Sequence, residues 1–143
     1  MNEDLSREYQ AIIAYVVYAQ LLKGAEYMNI ADQLEQHAHQ ELEHALTISR
    51  PIDYLGEMPT VTAKPVCVSD KPRDMLKFDL DNENETIRYY RERVRQCEAL
   101  SEFATAEQIR GDCRARAGSS DRSGHGSRRG RAGPRQVKGQ QGA

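Results

Sequence analysis

QELEHALTI, residues 40–48, sets Glu41 and His44 inside the apolar stripe of a helix. Leu34, Glu41, His44 and Ile48 recur at helical spacing, so a carboxylate and an imidazole share a face with aliphatic side chains. Burying an unpaired carboxylate is costly, and such residues are usually exposed, neutralised, paired or bound to a metal. The ExxH spacing is common on helices by itself, so the rest of the chain has to decide between these outcomes.

Two more acidic residues repeat the anomaly. Glu8 lies on one face with Ile12 and Tyr15, and Glu83 falls mid-stripe between Leu80 and Ile87. Either alone reads as a solvated face residue, and His37 and His39 read as surface or boundary positions. Three carboxylates and a histidine can nevertheless converge on one point in a bundle core, and that donor set suits non-haem iron or manganese. The spacing adds an internal repeat, because Tyr15 follows Glu8 by seven residues and Tyr90 follows Glu83 by seven. Glu41 comes 33 residues after Glu8, so the same step from Glu83 predicts a second ExxH at 116 and 119. Those positions hold Arg116 and Ser119.

Three segments carry helical periodicity and a fourth begins one. Leu5, Tyr9, Ile12 and Val16 mark the first, with Gly24 as its stop. The second runs from Asn29, read as its N-cap, to about Gly56, with Pro51 expected to kink it or end it early. The third starts near Asp70 with Pro72 in its first turn and continues through Leu76, Leu80, Glu83, Ile87, Tyr90, Val94 and Cys97. The fourth opens at Glu102–Arg110 and then loses its pattern. A short link makes the first two helices antiparallel. The 14 residues from Gly56 to Ser69 can span roughly 45 Å when extended, against about 39 Å for a helix of about 26 residues. Helices two and three are therefore expected to be parallel. The fold class is all-α, a four-helix bundle with one long crossover and a truncated fourth helix.

The overall charge of −2 hides a division. Residues 111–143 hold eight Lys/Arg against two Asp/Glu and eight of the ten glycines, with no aromatic residue. Residues 1–110 hold 12 Lys/Arg against 20 Asp/Glu. The expectation is a helical domain over 1–110 and a disordered basic tail over 111–143, too poor in apolar surface to offset its ordering entropy. Cys67, Cys97 and Cys113 form neither a disulfide framework nor a zinc pattern. No secretory leader or apolar run near 18 residues opens the chain, so a soluble cytoplasmic protein is the default.

LSREYQAIIAYVVYAQ (5–20), QELEHALTI (40–48) and MLKFDLDNENETIRYYRERVRQCEAL (75–100) resemble the bacterioferritin branch of the ferritin-like superfamily over about residues 1–110. The resemblance implies a four-helix bundle that binds two irons, oxidises Fe(II) with dioxygen or peroxide, and stores iron in homo-oligomeric cages. It implies Glu8 as terminal ligand and His44 as partner on one iron, Glu41 as the bridge, and Glu83 as terminal ligand of the second. Tyr15 would orient ligands from behind. Leu42 stands where the haem-binding Met of bacterioferritins follows the first ExxH Glu, so haem is not expected. The second bridging Glu and second His are missing, which leaves the di-iron site and its ferroxidase activity impaired, with a mononuclear site from Glu8, Glu41 and His44 remaining. Shifting the reading frame by one nucleotide near Arg110 makes Glu at 116 and His at 119 compatible with the codons, so the tail reads as a frameshifted end of helix four. The competing readings are an iron-inactive module whose basic tail binds nucleic acid, and a truncated product without function.

Overall fold

The computed structural model describes residues 1–125, without the side chains of 115 and 117–125. The basic segment 126–143 lies outside the described residues, and with it most of the expected disordered tail and its reading as a nucleic-acid binder. The chain forms four helices, α1 (Asn2–Leu21), α2 (Met28–Tyr54), α3 (Pro72–Ala99) and α4 (Phe103–His125), with no strand among the described residues.

The helix ends follow local chemistry. Gly24 and Gly56 take φ of 108° and 82°, backbone that glycine adopts without a Cβ penalty, and they close the turns after α1 and α2. Pro72 sits at the start of α3, where its missing N–H costs nothing. Two expectations need correction. α2 begins one residue before Asn29, with Tyr27 at the cap and no side-chain cap, and it runs through Pro51 to Tyr54. Pro51 lies in the last turn and is buried beside Ile52, so packing holds the helix past it.

α1 pairs with α2, and α3 with α4, while the crossover climbs the length of α1. Thr60 N–H donates to Asn2 Oδ1 at 2.8 Å, and the Ser6 hydroxyl donates to the Thr62 carbonyl. The Lys64 N–H bonds the Ser6 carbonyl at 3.0 Å, Gln10 donates to the Pro65 carbonyl, and Tyr18 donates to the Cys67 carbonyl. The strap thus ends beside the opposite end of α1 from where it began. That returns the chain to start α3 parallel to α2, as its length predicted. Asp4–Arg93 (2.8 Å) and Arg7–Glu85 (3.0 Å) then tie α1 to α3, with the Arg7 guanidinium stacked 3.8 Å over the Tyr89 ring.

The buried stripe of α1 runs through Leu5, Glu8, Tyr15, Tyr18 and Ala19, and Leu22 continues it just past the helix end. It is rotated from the expected one, since Val16 is 53% exposed and Tyr9 and Ile12 are half-buried. On α3, Leu80 is 51% exposed, whereas Met75, Thr86, Tyr90 and Cys97 face inward. α4 continues 15 residues past Arg110 to His125, where the sequence pattern predicted truncation. Ile109, Cys113 and Arg116 follow one another at helical spacing, so the inner face is carried forward by a cysteine and a charge that a search for apolar residues passes over.

The core has two apolar ends. Leu5, Ala45, Ile48, Ile52, Ala106 and Ile109 fill one, and Ala14, Tyr18, Leu22, Leu34 and Met75 fill the other. Between them lies a layer of buried charge.

Candidate metal centre

Each pair of helices contributes to that layer. Glu8 is 1% exposed, Glu41 3% and Arg116 3%, with His44 and Glu83 half-buried beside them. Donor atoms of Glu8, Glu41 and His44 lie within 4.8 Å of one another. His44 Nδ1 is 3.0 Å from Glu41 Oε2 and 3.7 Å from Glu8 Oε2. Three of the four expected ligands therefore converge, from α1 and from adjacent turns of α2. Glu83, from α3, stands at the edge of the cluster.

The two E-x6-Y repeats are crossed. The Tyr15 hydroxyl donates to Glu83 Oε1 at 2.6 Å, and the Tyr90 hydroxyl donates to Glu8 Oε1 at 2.6 Å. Each tyrosine bonds the carboxylate of the opposite repeat, a contact that the sequence points to for Tyr15 and that sequence reasoning did not extend to Tyr90. The repeat itself was the available signal. Tyr90→Phe removes the donor from a fully buried carboxylate and is expected to cost about 1–3 kcal/mol of stability. Urea unfolding of the variant measures it, and an unchanged midpoint would count against the hydrogen bond.

The largest departure from expectation is Arg116. One of its terminal nitrogens, Nη2, donates to Glu8 Oε2 and to Glu41 Oε2, and lies 3.0 Å from His44 Nδ1. The other, Nη1, reaches Glu83 Oε1 at 3.5 Å, and the guanidinium lies 5.3 Å from the Tyr90 ring centre. Position 116, which the repeat reserves for a carboxylate, therefore does enter the centre, with the opposite charge.

Burial dominates the electrostatics. It pushes the Glu8 carboxyl up to about 8, against the opposing pull of the Arg116 charge and the Tyr90 hydroxyl. Burial raises Glu41 as well, again against Arg116. It lowers His44, and the Arg116 charge lowers it further, so the imidazole is held neutral. A neutral ring presents one lone pair and one N–H. His44 Nδ1 donates to Glu41 in one tautomer, and in the other it can accept from Arg116 Nη2 only when that nitrogen gives up one of its two carboxylate bonds. One turn before Glu83, burial pushes Asp79 up to about 6, with the Tyr15 hydroxyl opposing.

The three converging donors make a set suited to one metal ion. Glu8, Glu41 and His44 supply two hard oxygens and a nitrogen, suited to a divalent first-row ion. Beside the cluster, Glu83 is accompanied by Asp79, one turn earlier and against the Tyr15 hydroxyl, and Glu83 Oε2 is buried without a hydrogen-bond partner among the described residues. At position 116, where the internal repeat calls for a carboxylate, α4 presents a cation. Leu42, the residue at the haem-Met position, is 48% exposed on α2.

The family model for the ferritin-like domain matches residues 1–112, ending ahead of Arg116. A ferritin-like, diiron-carboxylate protein from Bacillus anthracis superposes with a TM-score of 0.83 at 27% identity, over 87% of this chain and 89% of that one. The bacterioferritin of Rhodobacter capsulatus, solved with a metal-free dinuclear site and haem iron, gives a TM-score of 0.80 at 23% identity, over 87% and 78%. No curated protein sequence matches.

Proposed function

Since this chain belongs to the ferritin-like domain family, we propose that it is an iron-binding protein of iron storage and homeostasis whose centre takes one Fe(II), through Glu8, Glu41 and His44. The observation that carries this reading is the convergence of those three donors at one buried point. The diiron-carboxylate character of the Bacillus anthracis protein makes iron the first metal to try.

On this reading Fe(II) oxidation is impaired for a reason of electron count. Reducing dioxygen to hydrogen peroxide takes two electrons, and one Fe(II) gives one. Glu8 and Glu41 hold and neutralise the ion, His44 supplies the nitrogen ligand, and Tyr90 keeps Glu8 aimed at the site. Glu83 and Tyr15 persist as the remnant of the second position. Homo-oligomeric assembly and a cytoplasmic location are proposed with the family. No helix among the described residues is long and apolar enough to cross a membrane.

Anaerobic titration with Fe(II) tests the reading. The wild-type chain is expected to bind at most one equivalent, and Glu41→Ala with His44→Ala is expected to weaken that binding at least roughly a hundredfold, since two of three ligands go. Wild-type binding no greater than that of the double variant would overturn it.

A further inference from the structure

We infer that the Arg116 guanidinium is the resident cation of this bundle, seated where a metal would sit, so that the chain folds without metal and a metal ion binds only by displacing that side chain. The inference rests on the reading of Glu8, Glu41 and His44 as the metal-binding set.

The geometry is specific on this point. A single nitrogen, Arg116 Nη2, contacts Glu8 Oε2, Glu41 Oε2 and His44 Nδ1. Those are one atom from each residue whose donors cluster within 4.8 Å, so Nη2 already holds the centre of the ligand set. The second nitrogen extends the same cation toward Glu83, which the second metal would have used. A guanidinium suits this place better than an ammonium would, because its planar fork serves several carboxylates at once and keeps its charge when buried.

The chemistry also explains why the buried layer needs a cation. Three carboxylates from three helices face one another in an enclosed region, and among the described side chains Arg116 is the only Lys or Arg that touches them. In a protein built around metal the ions neutralise that charge. Here α4 brings its own. Metal and Arg116 therefore compete for the same three atoms, and metal entry requires the guanidinium to leave.

The test uses the full chain with Co(II) as the probe, which reports ligation by visible absorption without being oxidised by air. The variants are Arg116→Gln and Arg116→Lys, each also melted in chelator. Arg116→Gln is expected to bind Co(II) at least roughly tenfold more tightly than wild type and, in chelator, to melt at least about 5 °C lower. The wild-type melting temperature is expected to be the same with and without chelator. Arg116→Lys keeps the charge but loses the fork, and is expected to fall between the two. Should Arg116→Gln fail to fold without metal, folding on addition of Co(II) supports the inference, while failure in both conditions with Arg116→Lys equal to wild type in affinity overturns it. Equal Co(II) affinity in wild type and Arg116→Gln, abolished by Glu41→Ala, overturns the inference and leaves the metal-binding reading standing. Tight binding in Arg116→Gln with none in wild type supports the inference and removes iron binding from the unmodified chain. No binding in any variant overturns both.

Discussion

A chain carrying Arg116→Glu and Ser119→His is expected to take up two Co(II) ions, where the wild-type chain takes at most one. The internal repeat that aligns Glu8 with Glu83 calls for a glutamate at 116 and a histidine at 119. The observed reach of Arg116 to Glu8, Glu41 and Glu83 shows that residue 116 of α4 faces the centre. Residue 119 follows one helical turn later on the same face. The exchange removes a buried cation and adds a buried anion, so the metal-free variant has four carboxylates with no Lys or Arg touching them among the described side chains. Stripping a buried ion pair of one member costs about 3–5 kcal/mol, or roughly 12–20 °C of melting temperature for a chain of this size. Metal reverses the loss, because an ion at a hundred times its Kd stabilises the folded state by about 2.7 kcal/mol per site. The expected signature is a variant whose melting temperature climbs steeply with Co(II), beside a wild-type chain whose melting temperature barely moves. Titration followed by visible absorption counts the ions, and a single equivalent with a metal-insensitive melt would refute the assignment of positions 116 and 119.

The experiment also separates two accounts of the sequence after Arg110. If the frame-shifted reading describes an intact relative, the double variant regains a working centre, and air oxidation of Fe(II) should accelerate with it. If the rest of α4 has drifted too far to seat the histidine, binding improves only through the carboxylate introduced at position 116. The single variant Arg116→Glu then binds as well as the double one, and the second ion is held weakly.

The bundle was legible because its signals are local. Gly24, Gly56 and Pro72 punctuate the helices, and the crossover is long enough to let α2 and α3 run parallel, as its course along α1 from Asn2 to Tyr18 bears out. Glu8, Glu41 and His44 were legible because charge inside an apolar stripe is conspicuous. The stripe of α1 was harder to read. That helix is apolar around much of its girth, with Ile12, Ile13, Val16 and Val17 beside Tyr15 and Tyr18, and periodicity cannot choose between overlapping faces. The choice falls to the partners, which bury Tyr15 and Tyr18 against α2, α3 and the crossover. Arg116 was hardest of all. In the chain it is one arginine among many in a glycine-rich stretch, and its burial depends on carboxylates from three other helices. Sequence showed position 116 as a missing ligand. Only the fold shows it as an occupied one.

Cys113→Pro is expected to destabilise the chain by at least about 3 kcal/mol, because proline in a helix interior removes one backbone hydrogen bond and clashes with the carbonyl four residues back. Here that carbonyl belongs to Ile109, a buried member of the core, so the break falls between the last aliphatic anchor of α4 and Arg116. The damage should therefore exceed the propensity cost, since a kink at 113 withdraws the guanidinium from Glu8 and Glu41 and leaves both carboxylates buried without it. Cys113→Ala isolates the backbone effect. It trims a half-buried side chain, replaces it with a strong helix former, and should cost no more than about 1 kcal/mol. Thermal melts of the two variants then differ by roughly 8 °C or more if residues 111–116 are helical and anchored. Two variants melting together would mean that α4 ends near Arg110, as the periodicity of the sequence suggested. That outcome would also remove the cation from the centre, because a side chain beyond a frayed helix end has no fixed path back to three buried carboxyl groups.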